Sequence, residues 1–426
     1  MIPDPAPRRV LVVGAGLAGL RTAAELRAQG FDGEVTVVGA EDALPYDRPP
    51  LSKELLTRTE PVWLADDLGA DLTSLADRTL LGHRAVGLRA DDAGVRLAVA
   101  GPTGRSELAA DAVVLACGSQ AATPAALAGA LTLHTADDAA RLRARLRPGS
   151  RLVCVGAGWI GAEVAGAAAA AGVDVTVLEA AATPLARQLG EEVGALTRAW
   201  YDEAGVTLRT SAAATGLSPA GVVLADGTVL AADTVLAATG VRPSTGWLAG
   251  ALPLTARGAL PVGPTGRVTG GPASVRAVGD CADRTSPRDG AVEGGHWDAA
   301  LTHPAALVAD LLARAGGAEG GAAEGRVADP APYVFSRQLG HDVTLVGRPT
   351  PASEVILRGT PGAGGWTALY VEPGPDGAGA VLRAGFTVDA PRDVGALRKA
   401  LGGAAYPRID RTNAADPAVP LRRSLR

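Results

Sequence analysis

Aromatic residues, lysine and cysteine are all scarce in this chain of 426 residues. Because aromatic residues make up only 3% of the chain, its cores must be filled by alanine, valine and leucine. The cysteines are Cys117, Cys154 and Cys281, and the wide spacing between them excludes a CxxC redox pair. All three lie in apolar runs or at their ends, so we expect them to be buried packing residues.

Other absences limit the class of protein further. The sequence shows neither a secretory signal nor an apolar run long enough to span a membrane, and its five histidines lack metal-ligand spacing. Its net charge of −5 argues against a nucleic-acid partner. We therefore expect a cytoplasmic protein of two or three domains, monomeric or weakly dimeric, with no metal site and no membrane contact.

The most informative feature that is present is a pair of glycine motifs with the same spacing. Residues 14–19 read GAGLAG after the apolar run 10–13, and residues 156–161 read GAGWIG after the apolar run 152–155. Each motif leads into an alanine-rich segment, so both lie where a buried strand turns into a helix. Glycine is abundant, with 56 residues, but chance does not explain two matches in this same context.

The spacing of the motif has a physical reason. The first glycine permits a tight turn, the second lets the backbone approach a pyrophosphate, and the third lets helix and strand pack closely. The phosphates then lie at the positive N-terminus of the helix. Two such cradles predict that the chain binds FAD and a nicotinamide dinucleotide. Their candidate residues are Gly14, Gly16, Leu17, Ala18 and Gly19 for FAD, and Gly156, Gly158, Trp159, Ile160 and Gly161 for NADH.

The first 240 residues repeat one pattern of strand, glycine turn, helix and strand. Each repeat closes with an apolar run, which Gly118 follows in the first repeat and Gly240 in the second. We add Gly118 to the FAD site and Gly240 to the NADH site. The alternation predicts an α/β fold with parallel sheets, containing two Rossmann-like domains. We expect a discontinuous FAD-binding domain at residues 1–119 and 244–325, an NADH-binding domain at 120–243, and a C-terminal α+β domain at 326–426.

Local patterns predict further elements. A long helix is expected around residues 191–204, and residues 316–325 are almost entirely glycine, alanine and glutamate, which is typical of a linker. In the C-terminal domain we predict an antiparallel sheet with strands at 333–346, 354–358, 366–371 and 380–387, followed by a helix at 391–401.

Four segments, taken in order, carry a resemblance to a known family. They are residues 13–19 (VGAGLAG), 45–53 (PYDRPPLSK), 156–161 with Glu163, and 278–282 (VGDCA). In them the chain resembles the FAD-dependent, NADH-using ferredoxin reductases that serve bacterial haem monooxygenases and Rieske-type dioxygenases. The tail extends the resemblance over nearly the whole chain, because residues 333–338 (YVFSRQ) and 415–421 (ADPAVPL) are similar to that family's C-terminal domain. The PPLSK element is the most specific motif.

Lys53 of the PPLSK element is unusual on composition alone. Of the 40 basic residues only Lys53 and Lys399 are lysines. A compact ammonium differs from a planar guanidinium, and beside a flavin it can stabilise negative charge on the reduced ring. The alternative is a surface lysine at a helix start. In the resembled family the glutamate that matches Glu163 pairs with this lysine, so we predict a catalytic Lys53–Glu163 ion pair that links the two nucleotide domains.

Acidic residues after the second strand of each unit indicate how ribose is recognised. A carboxylate at Glu179 hydrogen-bonds an adenosine ribose 2′-OH and repels a 2′-phosphate, so NADH is preferred over NADPH. Glu41 has the matching place for FAD. The resemblance implies that Asp280, after Gly279, contacts the ribityl chain of FAD, and that Arg48 lies near its pyrophosphate or adenine.

The chain departs from the family pattern around Trp297, which we expect to stack near the flavin. Two residues before this tryptophan the family has an acid, and this chain has Gly295. An amide-bearing residue and a glycine further on are replaced by His303 and Pro304. The polar surroundings of Trp297 are therefore altered.

The resemblance implies an oxidoreductase, a flavoprotein that transfers electrons from NADH through FAD to a [2Fe–2S] ferredoxin that feeds an oxygenase. One alternative keeps FAD and NADH but reduces rubredoxin or a small molecule. Another is an NADH-sensing interaction protein. An acidic ferredoxin requires a basic docking surface, for which the candidates are Arg337, Arg348, Arg422 and Arg423.

Overall fold

The computed structural model describes residues 7–91, 94–313, 329, 331–374, 377 and 379–426. Contacts divide the chain into two compact units. Unit 1 comprises Met1–Asp47, Val62–Gln120 and Val241–Asp329, and unit 2 comprises Arg48–Pro61, Ala121–Gly240 and Pro330–Arg426. The linker predicted at residues 316–325 lies outside the described residues.

A five-stranded parallel sheet forms the centre of unit 1. Its strands, in spatial order, are Val275–Ala277, Ala112–Leu115, Arg9–Val13, Glu34–Val38 and Arg78–Leu80. The two faces of the central strand are buried in separate apolar clusters. This burial explains the continuous apolar run at residues 10–13, because a strand covered on both faces has no solvent side for polar residues.

Helices and two smaller sheets complete unit 1. The helices are Leu17–Ala28, Leu64–Leu68, Leu72–Leu75 and Trp297–Ala313, with 3₁₀ turns at Gly246–Leu248 and Gly279–Cys281. One small sheet is antiparallel and contains Arg84–Asp91, Gly94–Gly101 and Gly104–Ala110. The other contains Leu260–Val262, Ala282–Ser286 and Gly290–Val292. Short strands also occur at Val241–Pro243 and at Ser119–Ala121, of which the last residue belongs to unit 2.

A second parallel sheet belongs to unit 2. Its strands, in spatial order, are Thr207–Arg209, Asp174–Leu178, Arg151–Val155 and Thr234–Ala237. An antiparallel sheet of Ala214–Ser218, Gly221–Leu224 and Val229–Ala231 accompanies it. The helices are Ala136–Arg143, Trp159–Ala170, Ala186–Ala195 and Ala199–Glu203, with 3₁₀ turns at Pro49–Ser52, Glu54–Leu56 and Ala125–Leu127.

The long helix predicted around residues 191–204 is wrong, because the structure has two helices there, separated at residues 196–198. In this gap the backbone N–H of Leu196 and of Thr197 each bonds a carbonyl three residues earlier. The Thr197 hydroxyl also donates to the Gly194 carbonyl at 2.9 Å. These backbone bonds span three residues in place of the four of an α-helix, so they tighten the backbone and end the first helix.

The C-terminal part of unit 2 forms the predicted antiparallel sheet. Its five main strands, in spatial order, are Tyr333–Gln338, His341–Gly347, Ala380–Val388, Trp366–Pro373 and Glu354–Arg358, and Arg408–Ile409 pairs with Ala380–Val388. The helix Pro391–Leu401 is confirmed, and Arg411–Ala415 and a 3₁₀ turn at Leu421–Arg423 follow it.

The single strand predicted at residues 333–346 is wrong, since it is a hairpin of two strands. The turn consists of Leu339 and Gly340, whose φ angles are +51° and +94°. Two consecutive positive φ angles suit the right-handed twist of a two-residue hairpin. Leucine rarely adopts this conformation, so the sequence carried no turn signal at Leu339.

Buried arginines hold distant segments together in both units. In unit 1, Arg276 is fully buried and donates twice to one oxygen of Asp310, at 2.8 and 3.1 Å, while Arg267 donates twice to the other, at 2.8 and 3.0 Å. In unit 2, the guanidinium of Arg358 binds Asp393 at 2.9 Å and the carbonyl of Val419 at 2.8 Å, and so holds the tail against the sheet.

No helix among the residues described above is both long and apolar enough to cross a membrane.

Replacing Asp310 by alanine should destabilise unit 1 strongly, because two guanidinium groups lose their shared carboxylate and Arg276 stays buried. We expect a loss of about 3–5 kcal/mol in the free energy of unfolding, the usual result of removing one partner from a buried ion pair. Urea unfolding followed by circular dichroism measures this loss. Asp32→Ala, which removes an exposed carboxylate from the same unit, is the control. A loss no larger than that of Asp32→Ala would contradict the prediction.

Candidate active site

The first glycine motif forms a tight turn at the end of strand Arg9–Val13. Gly14 has φ +121°, and a Cβ atom there would lie 2.0 Å from the carbonyl oxygen of Ala116. A Cβ atom at Gly19 would lie 1.8 Å from the carbonyl oxygen of Gly14. A Cβ atom at Gly16, by contrast, would meet nothing within 4 Å. The first and third glycines are therefore required by backbone packing, and the second faces open space at the start of helix Leu17–Ala28.

The second motif has the same geometry in unit 2. A Cβ atom added at Gly156 would lie 2.4 Å from the carbonyl oxygen of Ala238, and one added at Gly161 would lie 2.0 Å from the carbonyl oxygen of Gly156. A Cβ atom added at Gly158 would meet nothing within 4 Å. Neither glycine helix has a side-chain N-cap bond or an acidic residue in its first turn. Each helix N-terminus therefore presents backbone N–H groups to an open space that suits a pyrophosphate.

Glu179 lies directly after strand Asp174–Leu178, beside the second glycine turn. One carboxylate oxygen accepts from the Ala157 N–H at 2.8 Å, and the other accepts from the Ala181 N–H at 2.8 Å. Two backbone donors therefore hold this carboxylate against the glycine turn.

The candidate FAD residues outside the glycine turn lie mostly in unit 1. Tyr46 donates its hydroxyl hydrogen bond to Glu41. Asp280 follows Gly279 in a 3₁₀ turn and accepts from Ser119 at 2.9 Å. Gly118 and Gly279 have φ angles of +67° and +77°, and Gly240, the corresponding candidate of unit 2, has φ +95°. Arg48 instead belongs to unit 2, where it donates to the carbonyl of His134.

The predicted ion pair between Lys53 and Glu163 is confirmed. The ammonium nitrogen lies 2.9 Å from one carboxylate oxygen, and the two side chains are 17% and 6% exposed. Both residues belong to unit 2, because the segment Arg48–Pro61 makes its contacts there. The pair therefore lies within one compact unit. The sequence predicts instead that it links two domains, and this ion pair does not join the two units.

Two serines complete the surroundings of Glu163, and sequence analysis missed both. Ser52 donates to one carboxylate oxygen, and Ser336 donates to the oxygen that Lys53 also contacts. Ser52 lies inside the PPLSK motif and Ser336 inside the YVFSRQ segment, so both positions were within recognised motifs. Their partner was not evident, because Ser336 and Glu163 are 173 residues apart in the chain.

Trp297 is the first residue of helix Trp297–Ala313, and its indole N–H donates to Asp47 at 2.8 Å. Two departures from the family pattern, Gly295 and His303, lie just before this helix and within it. Gly295 has φ +123°, a backbone conformation that disfavours the acidic side chain found in the family. His303 lines a cavity with Arg284, and burial together with the charge of Arg284 lowers the pKa of the imidazole to about 4. His303 is therefore neutral at pH 7.

Cys117 and Cys281, far apart in sequence, lie close together in unit 1. The neighbouring Cys281 thiol together with burial raises the pKa of Cys117, and Cys117 in turn lowers the pKa of Cys281. Cys281 donates to the carbonyls of Leu115 and Val278 at 3.3 Å. Burial raises the pKa of the third thiol, Cys154, to about 12. A raised pKa opposes formation of the reactive thiolate, so Cys117 and Cys154 suit packing better than redox chemistry.

Comparison with known proteins identifies the family. A family model described as pyridine nucleotide-disulphide oxidoreductase matches residues 8–302. The chain belongs to this family. A second model, described as reductase C-terminal, matches residues 333–425. Members of the family bind FAD and NAD(H), and the two glycine turns of this family member fit two dinucleotides.

Three relatives span most of this family member. The ferredoxin reductase component of a chlorobenzene dioxygenase from Cupriavidus sp. (strain PS12) is 34% identical over 395 residues, 90% of each chain. The crystal structure of Fdr9 superposes with a TM-score of 0.85 at 35% identity, covering 97% of this chain and 99% of that one. Putidaredoxin reductase, in its covalent complex with putidaredoxin, has a TM-score of 0.83 at 27% identity and 98% coverage of both chains.

Gly16 and Gly158 allow the two cradles to be tested separately. A valine at either position meets no protein atom at Cβ, so both variants should fold, but each side chain would occupy the space of a pyrophosphate. We expect Gly16→Val to lose bound FAD, measured by its visible absorption. Gly158→Val should keep FAD but bind NADH at least about tenfold more weakly, a penalty of about 1.4 kcal/mol. Each variant is the control for the other, and full flavin occupancy in Gly16→Val would contradict the assignment.

Proposed function

We propose that this chain is an FAD-dependent NADH:ferredoxin reductase that supplies electrons to an oxygenase through a [2Fe–2S] ferredoxin. The observation that carries the proposal is that one chain holds two glycine cradles with the same open second position. Relatives named as ferredoxin reductases match it from the first cradle to the tail, which supports ferredoxin as the electron acceptor.

We assign the cradle of unit 1 to FAD. Its open position at Gly16 takes the pyrophosphate, and Glu41 contacts the adenosine ribose. Asp280 would hold the ribityl chain, and Trp297, whose indole N–H donates to Asp47, would stack near the ring. The guanidinium of Arg48 would supply positive charge for the FAD pyrophosphate or adenine.

The cradle of unit 2 binds NADH. Gly158 faces its pyrophosphate, and Glu179 binds the adenosine ribose from the position where two backbone N–H groups hold it. Because both oxygens of Glu179 are already oriented, its negative charge lies at a defined place and repels a 2′-phosphate. NADH is therefore preferred over NADPH.

We assign Lys53 and Glu163 to the transfer of the electron pair from the nicotinamide to the flavin. Bound FAD supplies the redox chemistry, since it takes an electron pair from NADH and releases electrons singly. Lys53 provides a positive charge that stabilises negative charge developing on the ring, and Glu163 holds that ammonium in place at 2.9 Å. The side chain of Lys53 is 17% exposed, so its charge is only partly screened by water.

The domain boundaries follow from this assignment. We propose an FAD-binding domain at residues 1–119 and 244–325, from which the segment Arg48–Pro61 makes its contacts within unit 2, an NADH-binding domain at 120–243 and a C-terminal domain at 326–426. We also propose that the protein acts in the cytoplasm, where NADH is available and where free thiols such as those of the three cysteines persist.

The preference for NADH should depend on the charge of Glu179. Glu179→Gln keeps the size of the side chain but removes the repulsion of a 2′-phosphate, so the ratio of kcat/KM for NADH to that for NADPH should fall about tenfold or more, which corresponds to about 1.4 kcal/mol. Steady-state ferricyanide reduction with each nucleotide measures the ratio. Glu191→Gln, which neutralises an exposed glutamate in the same unit, should leave it unchanged. Equal specificity for both nucleotides in the unmodified protein would refute the assignment.

The acceptor is tested by cytochrome c reduction coupled through a two-iron ferredoxin. We expect the ferredoxin to raise the rate well above the oxygen-driven background, and added salt to lower the ferredoxin-dependent rate. Exposed arginines such as Arg337, Arg422 and Arg423 attract an acidic partner across distances that salt screens, with a Debye length of about 8 Å at physiological ionic strength. Direct ferricyanide reduction, which needs no docking, should barely respond to salt. If no two-iron ferredoxin accelerates turnover, the acceptor is a small molecule or rubredoxin.

A further inference from the structure

Glu163 is the meeting point of three side-chain donors from two distant segments of unit 2. Lys53 and Ser52 come from the PPLSK loop, and Ser336 comes from the C-terminal sheet. The carboxylate is only 6% exposed, so these donors replace most of the water that it would otherwise bind. The C-terminal part of the chain therefore contributes directly to the ion pair.

Ser336 reaches Glu163 because a strand of the C-terminal sheet packs against the glycine helix. Along strand Tyr333–Gln338 the buried residues alternate, so Ser336 and Gln338 are buried while Phe335 is 43% exposed. The hairpin turn at Leu339 lies against Gly166 of the helix, where an added Cβ atom would lie 3.0 Å from the Leu339 nitrogen. A glycine at this helix position thus allows the close approach that brings Ser336 to Glu163.

The hydrogen-bond pattern orients the Ser336 hydroxyl. The side-chain amide of Gln338, which is 1% exposed, donates to the Ser336 oxygen at 3.2 Å. That oxygen is then an acceptor, and the hydroxyl proton is directed to the Glu163 carboxylate. A chain of donors therefore runs from Gln338 through Ser336 to Glu163, and Lys53 contacts the same carboxylate oxygen as Ser336.

We infer that Ser336 is a positioning residue of the reductase, and that Gln338 orients it. A carboxylate held by Lys53 alone can rotate about its terminal bond, and a lysine ammonium is a flexible point charge. With Ser52 on one oxygen and Ser336 on the other, the carboxylate plane is fixed, and Lys53 is fixed with it. This inference rests on the proposed function, in which the Lys53 charge acts on the flavin. The C-terminal sheet then sets the charge that governs flavin reduction, in addition to any role in acceptor binding.

The first test compares Ser336→Ala with the unmodified holoprotein in anaerobic stopped-flow reduction by NADH. The limiting rate of flavin reduction should fall about tenfold or more, near the lower end of what is expected for losing one hydrogen bond to a charged group, while the dissociation constant for NADH stays the same. Ser336→Thr retains a hydroxyl and should recover most of the rate. Thr387→Val removes a buried hydroxyl, bonded to the Thr344 carbonyl, from the same sheet and should leave the rate unchanged.

The second test measures the midpoint potential of the bound flavin without NADH. If Ser336 holds Lys53 at the ring, Ser336→Ala should lower the potential by about 30 mV, which is a tenfold change for a two-electron couple. Gln338→Met, which removes the donor to Ser336 but keeps its hydroxyl, should shift rate and potential in the same direction by a smaller amount. This variant also tests the inference if Ser336→Ala does not fold.

The double variant Ser336→Ala with Lys53→Met decides whether Ser336 acts through the lysine. Because Lys53→Met already removes the charge, adding Ser336→Ala should slow reduction no further. An unchanged rate and potential in Ser336→Ala, or full additivity in the double variant, would overturn the inference. None of these measurements uses a ferredoxin, so a wrong acceptor in the proposed function would leave their outcome unaffected, whereas a protein that binds no FAD would refute both.

Discussion

Both parallel sheets depend on one constraint, the close approach of backbone to backbone at the two glycine turns. The carbonyl of Ala116 occupies the space of a Cβ atom at Gly14, and the carbonyl of Ala238 does so at Gly156. Each turn thereby joins the first strand of its sheet, the helix that follows and the end of a neighbouring strand. The same turn leaves the helix N-terminus facing open space, so the packing that stabilises the sheet also leaves the space that we assign to a pyrophosphate.

Charge is distributed in two different ways over this fold. Arginines such as Arg276 and Arg358 are buried, and their planar guanidinium groups satisfy carboxylates and carbonyls from several segments at once. The rare lysine, Lys53, has a single-point ammonium that contacts the Pro49 carbonyl at 3.1 Å as well as Glu163. These two arginines thus connect distant segments of the fold, and the lysine occupies the position for which we propose a role in flavin reduction.

Glu163 joins three segments of unit 2. It lies on the helix that begins at the second cradle, and it receives donors from the PPLSK loop and from the C-terminal sheet. One carboxylate therefore connects the nucleotide-binding helix, the loop that carries the lysine and the sheet that follows. A change in any of these three segments reaches the ammonium of Lys53 through contacts within one compact unit.

The sequence by itself determined the features that depend on neighbouring residues. Hydrophobic runs and glycine spacing predicted both strand–turn–helix segments, and the helix Pro391–Leu401 was predicted to the residue, because these patterns act over one or two turns of chain. Tertiary structure decided the rest. The hairpin turn at Leu339, which lies against Gly166, and the bond from Ser336 to Glu163 depend on packing between residues that are remote in sequence. The break before Ala199–Glu203 rests on local hydrogen bonds such as that from Thr197 to Gly194, which the apolar pattern of the sequence did not reveal. No local pattern records which remote partner a buried polar group will find, since only the folded chain brings the two together.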